Sequence, residues 1–383
     1  MSVTAARGFL ASGVAAGIKE SGDRDLALVV NRGPSRAAAG VFTSNRVQAA
    51  PVRWSRRVLE DGRISAVVLN SGGANACTGQ AGAVDALLTA ERTAGVLDVD
   101  PHEVAVCSTG LIGVRLPMDR VTVGIDIAAH RLSAEGGTDA AVAIRTTDSV
   151  HKTAVVSRED WTVGGMAKGA GMLAPGLATM LVVLTTDADV SAAVLDSTLR
   201  AAVRTTFDRV DSDGCMSTND TVLLLASGAS GVAPEAADFA EAVHAVCLDL
   251  ARQLVADAEG ASKEIEVAVV GAASEEDAVQ VGRSVARNNL LKCALHGEDP
   301  NWGRVLSAIG TTAAVFDPDR LDVAINDVWV CRNGAAGESR DKVDLSGRRI
   351  TITVDLCSGD SSAVIWTNDL TAEYVHENSA YSS

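Results

Sequence analysis

The chain has 383 residues, of which 47% are hydrophobic and 21% are charged, and its formal net charge is -16. This length predicts two domains, or one large unit with a smaller appendage, and the composition excludes extended disorder. The negative charge and the 3% aromatic content exclude nucleic acid as an expected partner, because neither a basic patch nor base-stacking side chains are available.

The cysteines and the apolar segments indicate the compartment. Seven cysteines are scattered without a CxxC pair, so they are interpreted as reduced core thiols of a cytoplasmic protein. The stretch from Arg7 to Ile18 is a poor signal peptide, because Gly and Ser interrupt it and Lys19 and Glu20 follow at once. No apolar run reaches the roughly 20 residues that cross a bilayer, so no membrane-spanning segment is predicted.

Apolar runs alternate with helical patterns in the N-terminal half, which predicts α/β structure there. The glycine-rich stretch 164–171 is predicted to have a permissive backbone. The predicted elements are strands at 26–31, 66–70 and 104–107, helices at 80–96, 126–132 and 139–147, and a hairpin at 153–163.

The C-terminal half continues the alternation. A weak domain boundary is placed near Gly310, which gives a main unit over 1–310 and a smaller α/β domain over 311–383. The predicted elements are strands at 178–185 and 264–271, helices at 192–207, 235–259 and 275–291, a helix ending at Gly310, and mostly strand and turn from Leu321 onward.

The segment from Lys168 to Leu181 has the features of a self-cleavage site. A glycine-rich turn and Pro175 lead into Ala178-Thr179 at the start of a predicted strand. Chain scission by an N-to-O acyl shift needs a hydroxyl directly after the cut peptide and a small residue before it. The new α-amine, with a pKa of about 8, could then act as the base for its own hydroxyl. The alternative is that Thr179 is an ordinary β-branched residue at the start of a strand.

This segment and several others resemble the bifunctional ornithine acetyltransferase/N-acetylglutamate synthase family, and the resemblance covers nearly the whole chain. Because so many motifs occur in the same order, together they are highly specific for this family. The other matching stretches are Gly40–Arg46, Asn70–Gly79, Ser108–Gly113, Thr146–Asp148, Asp299–Arg304 and Asn378–Ser383.

The resemblance implies roles for individual residues. It makes Thr179 the nucleophile, released by cleavage after Ala178 into an α chain (1–178) and a β chain (179–383), and it makes Thr109 and Gly110 the oxyanion donors. It also implies a set of substrate contacts whose cationic, anionic and hydroxyl groups suit an amino acid. That set is Thr146, Lys168, Thr179, Glu259, Asn378 and Ser383.

The reaction implied by the resemblance is a ping-pong transfer of acetyl from N-acetylornithine to Thr179 and then to glutamate, in arginine biosynthesis and without a cofactor. Acetyl-CoA is an alternative donor in the bifunctional members. The implied fold is a layered α/β sandwich like that of the N-terminal-nucleophile hydrolases, and the implied assembly is α2β2.

Two other functions stay open from the sequence. The first is an aminopeptidase or amidase on the same self-processing scaffold, in which water deacylates the enzyme; Thr179 counts against it, because those relatives favour serine. The second is an uncut amino-acid-binding protein in which Lys168 and Glu259 only anchor the ligand.

Two motifs imitate metal sites, and no metal is predicted at either. The Asp299–Arg304 stretch with His296 is interpreted as a structural loop that opens a helix. A second group suggests a calcium loop, but its spacing misses the EF-hand pattern. That group is Asp208, Asp211, Asp213, Asn219 and Asp220.

Departures from the family pattern are few, and none removes an implied role. Gly73 stands where Asn is usual, and Gly176 stands where a polar residue is common. Ser149 and His151 replace the typical Thr and Pro. Gly176 would loosen the backbone just before the cut.

Overall fold

A computed structural model describes residues 2–174 and 180–380 of the chain. The chain divides into two compact units. Of the described residues, the first unit comprises 2–174 and 180–208 together with Cys215–Asp257, and the second comprises Arg209–Gly214 together with 258–380. Each unit has its own hydrophobic core.

The first unit contains two mixed β-sheets. Its strands are β1 (Phe9–Val14), β2 (Leu26–Asn31), β3 (Ala38–Phe42), β4 (Ala66–Asn70), β5 (Val104–Ser108), β6 (Lys152–Ser157), β7 (Thr162–Lys168), β8 (Leu181–Thr186) and β9 (Thr221–Ala226). One sheet has the order β1-β2-β4-β5 and the other has the order β3-β9-β8-β7-β6. The pairs β4–β5 and β8–β9 are parallel, and the remaining neighbours are antiparallel.

The two sheets of the first unit share one hydrophobic core. The strands β2, β4, β8 and β9 are buried along their whole length, as expected for continuous apolar runs. Leu28 and Val67 of one sheet belong to the same core as Val183 and Leu223 of the other.

Helices cover these sheets. They are α1 (Ala50–Val58), α2 (Gly79–Leu97), α3 (Met118–His130), α4 (Gly137–Ala143), α5 (Ala192–Thr205) and α6 (Ala236–Ala256). Helices α3 and α4 pack against β1 and β2, whereas α6 packs against β6 and β7. The buried residues Phe239, Val243, Val246 and Leu250 recur at helical spacing and form one face of α6. The expected layered α/β architecture is confirmed.

The second unit is built on a six-stranded sheet in the order β13-β12-β11-β14-β10-β15. Its core includes Ile265, Val267, Ile352 and Ile365. The strands are β10 (Glu264–Ala272), β11 (Asp322–Ile325), β12 (Val328–Arg332), β13 (Ala335–Ala336), β14 (Arg349–Asp355) and β15 (Ser361–Asn368). The helices are α7 (Glu275–Ala286), α8 (Asn289–His296), α9 (Trp302–Ile309) and α10 (Ala372–Ala380).

The division between the compact units falls between Asp257 and Ala258, whereas the sequence analysis placed the boundary near Gly310. The reason is strand pairing. The strand β10 pairs in parallel with β14, with Val267 opposite Ile352, so β10 belongs to the C-terminal sheet. Strands so far apart in the chain leave no local sequence pattern that would reveal their pairing.

Four local predictions need correction. The helix expected over 126–132 is only the end of α3, which stops at His130, and the helix expected over 139–147 stops at Ala143, the end of α4. The helix expected over 275–291 is two helices, because the Asn288 side chain accepts a hydrogen bond from Leu291 N and starts α8. Gly164 and Gly165, which were expected to give a permissive backbone, lie in β7; a Cβ on Gly165 would come within 2.7 Å of the Leu184 side chain, so glycine allows close packing there.

The cysteines fit the sequence interpretation only in part. All seven are free thiols. Cys107, Cys247 and Cys331 are buried, whereas Cys77 and two others are exposed, so not all of them are core residues. Among the described helices, none is long and apolar enough to span a bilayer.

Candidate active site

The end of β5 presents Thr109 and Gly110 in a rigid loop. Thr109 N–H donates to the Asn70 carbonyl at 3.0 Å, and Gly73 N–H donates to the Thr109 carbonyl at 3.0 Å. Gly110 has a φ of +124°, and a Cβ there would lie 2.6 Å from Gly73 N. Only glycine fits this position, so the close backbone approach fixes the loop.

Lys168 is buried at the end of β7 and contacts this loop. Its side chain is 2% exposed. The Lys168 Nζ donates a hydrogen bond to Thr109 Oγ1 at 3.3 Å. In the antiparallel register of β7 and β8, Lys168 lies opposite Leu181, two residues after Thr179 in the chain. The strand pairing therefore brings a buried cation and a buried hydroxyl to the start of β8.

Lys168 belongs to a buried ion cluster centred on Asp148. Asp148 Oδ2 lies 3.9 Å from Lys168 Nζ and accepts a hydrogen bond from Thr146 N–H at 3.0 Å. Asp148 Oδ1 accepts from Lys152 Nζ at 2.7 Å and from Gly169 N–H at 2.6 Å. Burial alone would raise the pKa of Asp148, but the charges of Lys168 and Lys152 and these donors lower it to about 2.

Sequence reasoning did not assign a role to Asp148. It appeared only as the last residue of the Thr146–Asp148 motif. The structure links it to two predicted contacts, Thr146 and Lys168, in one cluster. The Lys152 ammonium also bonds to Asp257 at 2.5 Å, so the cluster alternates cations and carboxylates. Such pairing is what allows charges to stay buried.

A second group that the sequence analysis left without a role lies before β9. Met180 N–H, directly after Thr179 in the chain, donates to Asp220 Oδ1 at 3.0 Å. The neighbouring Asn219 amide donates to the carbonyls of Ala74 at 2.6 Å and Ser108 at 2.8 Å. The only sequence signal for a functional role here is the turn-like composition of this stretch, and that composition resembled a calcium-binding loop. Among the described residues, no cluster of His, Cys, Asp and Glu is suited to hold a metal ion.

The remaining predicted contacts belong to the second unit or lie outside the described residues. Within the second unit, Asn378 Nδ2 donates to Glu259 Oε2 at 3.0 Å, so these two predicted contacts lie together. Ala178, Thr179 and Ser383, which include the predicted cleavage site and nucleophile, lie outside the described residues.

Comparison with known proteins decides the family. A family model described as the ArgJ family matches residues 10–383, almost the whole chain. The chain belongs to the ArgJ family. This membership confirms the resemblance that the sequence motifs indicated.

The relatives match over all or nearly all of their length. The chain is 70% identical over 383 residues to a Streptomyces coelicolor protein named arginine biosynthesis bifunctional protein ArgJ, with all of both chains covered. A Streptomyces avermitilis ArgJ protein of the same name is 71% identical, again with all of both chains covered. An ArgJ protein of Mycobacterium tuberculosis is 57% identical over 389 residues, which cover 100% of this chain and 96% of the relative.

Two solved ArgJ-family structures are similar over about half of this chain. One is ornithine acetyltransferase from Mycobacterium tuberculosis complexed with ornithine, 56% identical, covering 47% of this chain and 96% of that chain, with a TM-score of 0.45. The other is an arginine biosynthesis bifunctional protein from Bacillus halodurans, 35% identical, covering 51% of this chain and 97% of that chain, with a TM-score of 0.49.

Proposed function

We propose that this protein is an ornithine acetyltransferase, which moves an acetyl group from N-acetylornithine to glutamate in the cyclic route of arginine biosynthesis. Membership in the ArgJ family and the names of the relatives support this activity. The structural observation that supports it most directly is the hydrogen bond of 3.3 Å between the buried Lys168 ammonium and the Thr109 hydroxyl. It joins a group suited to an anionic ligand with a group suited to an oxyanion.

The first chemical step in this proposal is self-cleavage between Ala178 and Thr179. The Thr179 hydroxyl attacks the Ala178 carbonyl and the amide C–N bond breaks, which frees the Thr179 α-amine and leaves Ala178 esterified to Thr179 Oγ. Water then hydrolyses this ester, which separates the two chains and restores the Thr179 hydroxyl. The products are the α chain (1–178) and the β chain (179–383). The free amine, with an ordinary pKa of about 8, is then available to take the proton of its own hydroxyl.

The second step is acetyl transfer by a ping-pong route. Thr179 Oγ forms a bond to the acetyl carbon of N-acetylornithine, the amide C–N bond breaks, and ornithine leaves with the proton. The glutamate amine then attacks the acetyl ester and regenerates the hydroxyl. Both tetrahedral intermediates carry an oxyanion at the same place, so one pair of donors, the Thr109 hydroxyl and the Gly110 N–H, serves both steps.

Lys168 prepares the Thr109 hydroxyl for this role. A hydroxyl has one hydrogen and two acceptor lone pairs. Because the Thr109 oxygen accepts from Lys168, its hydrogen is left to donate to the oxyanion, and the nearby positive charge makes it a better donor.

The finer parts of the proposal concern binding and assembly. Thr146, Lys168, Glu259, Asn378 and Ser383 are proposed to contact the amino-acid substrates, with acetyl-CoA as a second possible donor. We further propose that the protein is cytoplasmic and that two α and two β chains assemble as α2β2. The seven free thiols support a reducing compartment.

Product analysis with the purified protein tests the activity. With N-acetylornithine and glutamate, ornithine and N-acetylglutamate should form in equal amounts, and double-reciprocal plots at several glutamate concentrations should be parallel. The Thr179→Ala variant, as the matched control, should form neither product. Equal release of acetate and ornithine regardless of glutamate would instead identify an amidase, and no turnover would contradict the proposal.

A further inference from the structure

The carboxyl group of Asp220 extends the pairing of two parallel strands beyond their ends. The strands β8 and β9 are in parallel register, with Leu181 opposite Thr221. One residue earlier, Thr221 N–H donates to the Met180 carbonyl at 3.1 Å, and Met180 N–H donates to Asp220 Oδ1 at 3.0 Å. A side-chain oxygen therefore takes the place of a backbone acceptor at the point where β8 begins.

This contact acts on the peptide unit that joins Met180 to Thr179. The Met180 N–H belongs to that unit, and a peptide unit is planar. The hydrogen bond to Asp220 therefore holds the Met180 N–H, the first described backbone group after Thr179, in place. Asp220 is fully buried, so the acceptor is not exchanged with solvent.

The adjacent residue, Asn219, holds the other half of the site. Its Nδ2 donates to the Ser108 carbonyl at 2.8 Å and to the Ala74 carbonyl at 2.6 Å. Its Oδ1 accepts from the Thr218 hydroxyl at 2.6 Å, and the two carbonyls, which can only accept, identify the opposite side of the amide as the donor. Since Ser108 directly precedes Thr109, the Asn219 amide anchors the strand end that presents the oxyanion donors.

We propose that Asn219 and Asp220 are positioning residues that fix the distance between the nucleophile strand and the oxyanion loop. Asp220 holds the Met180 N–H, directly after Thr179 in the chain, and Asn219 holds the strand end before Thr109. Because the two residues are consecutive, a rigid backbone links the two anchors. This inference rests on the proposed roles of Thr179 and Thr109.

The state of the Asp220 carboxyl determines which substitution preserves the function. Burial raises the pKa of Asp220 well above its ordinary value, against the opposing effects of the Met180 N–H, the Ser217 hydroxyl and the Lys168 charge. Burial therefore favours the neutral form of this carboxyl group. A carboxamide has nearly the same shape, is also neutral, and also offers an acceptor oxygen to Met180 N–H.

The test compares variants of the full chain made by cell-free synthesis. The cleaved fraction is followed over time by denaturing mass spectrometry, and kcat and KM for N-acetylornithine are measured on cleaved protein. Asp220→Asn should cleave and turn over at close to the wild-type rate. Asp220→Ala, which leaves Met180 N–H without an acceptor, should lower both rates by roughly 10- to 100-fold with KM unchanged. Asn219→Asp, which cannot donate to either carbonyl, should also lower kcat.

Asp187→Ala is the matched control for general destabilisation. Asp187 is also a buried carboxylate, 1% exposed, but it directly follows the opposite end of β8 and accepts from Thr162 N–H at 2.8 Å and Arg7 Nε at 2.7 Å. This control should lower Tm while leaving cleavage and kcat unchanged.

The possible outcomes separate this inference from the proposed function. If wild-type protein is not cleaved before Thr179, the proposed function fails and the positioning role falls with it. If wild-type protein is cleaved and active, wild-type rates in Asp220→Ala or equal losses in Asp220→Asn and Asp220→Ala overturn the positioning role alone. Should Asp220→Ala not fold, wild-type kcat in folded Asn219→Asp would overturn the role of the pair.

Discussion

Replacing Thr109 by valine removes the proposed oxyanion hydroxyl with little change of shape. Thr109 is 2% exposed, and valine has nearly the same volume, so the substitution opens no large cavity. The Gly110 N–H remains as the other donor. Loss of one donor from an oxyanion hole costs about 2.7–4 kcal/mol, so kcat should fall by roughly 10² to 10³.

The conservative variant Thr109→Ser separates the hydroxyl from the fold. Serine keeps the oxygen that accepts from Lys168 Nζ and loses only a methyl group. Its kcat should therefore stay much closer to wild type, while Tm falls slightly because about one buried methyl, roughly 1 kcal/mol, is lost. Both variants should have nearly the wild-type KM, since the donor acts mainly in the transition state.

The assay is the single-turnover rate of ornithine release from N-acetylornithine, measured on protein already cleaved. Using cleaved protein keeps an effect on maturation from being read as an effect on transfer. The reasoning would be refuted if Thr109→Val released ornithine at the wild-type rate, or if Thr109→Ser lost as much activity as Thr109→Val.

Two further predictions concern charge. Above pH 4 the ionised Asp148 stabilises the fold, and this contribution should be lost as pH falls from about 3.8 toward about 2. The contribution corresponds to about 2 kcal/mol of unfolding free energy. If Asp148 pairs with Lys152 and Lys168, the difference in urea-unfolding free energy between wild type and Asp148→Asn should disappear over that pH range. Glu259→Gln, which keeps an acceptor for Asn378 but removes the charge, should mainly raise KM for N-acetylornithine; an unchanged KM would leave Glu259 with a structural role.

The elements that could be predicted from the sequence are those specified by local pattern. The strands β2 and β4 and the helix α2 lie where continuous apolar runs and helical periodicity indicated them. The break at Asn288 was missed because a capping side chain interrupts a periodicity that continues on both sides. The buried Gly164 and Gly165 were misread because glycine signals both turns and close packing.

The candidate site shows the same division. Lys168 and Thr109 belong to family motifs that lie 59 residues apart in the chain, and the sequence gives no physical reason for the contact between them. Asp148 and Asp220 are buried carboxylates, and whether a carboxylate is buried depends on strands far away in the chain. Their opposite pKa shifts arise from the presence of two lysines beside one and strong desolvation of the other.

The proposed mechanism requires that Thr179 becomes a free N-terminal nucleophile that accepts an acetyl group. The most direct test is denaturing mass spectrometry of the purified protein before and after incubation with N-acetylornithine alone, together with N-terminal sequencing of each fragment. Two fragments are expected, the second beginning Thr179-Met180-Leu181 and gaining one acetyl group that glutamate removes. An intact chain, or a second fragment that never gains the acetyl group, would contradict it.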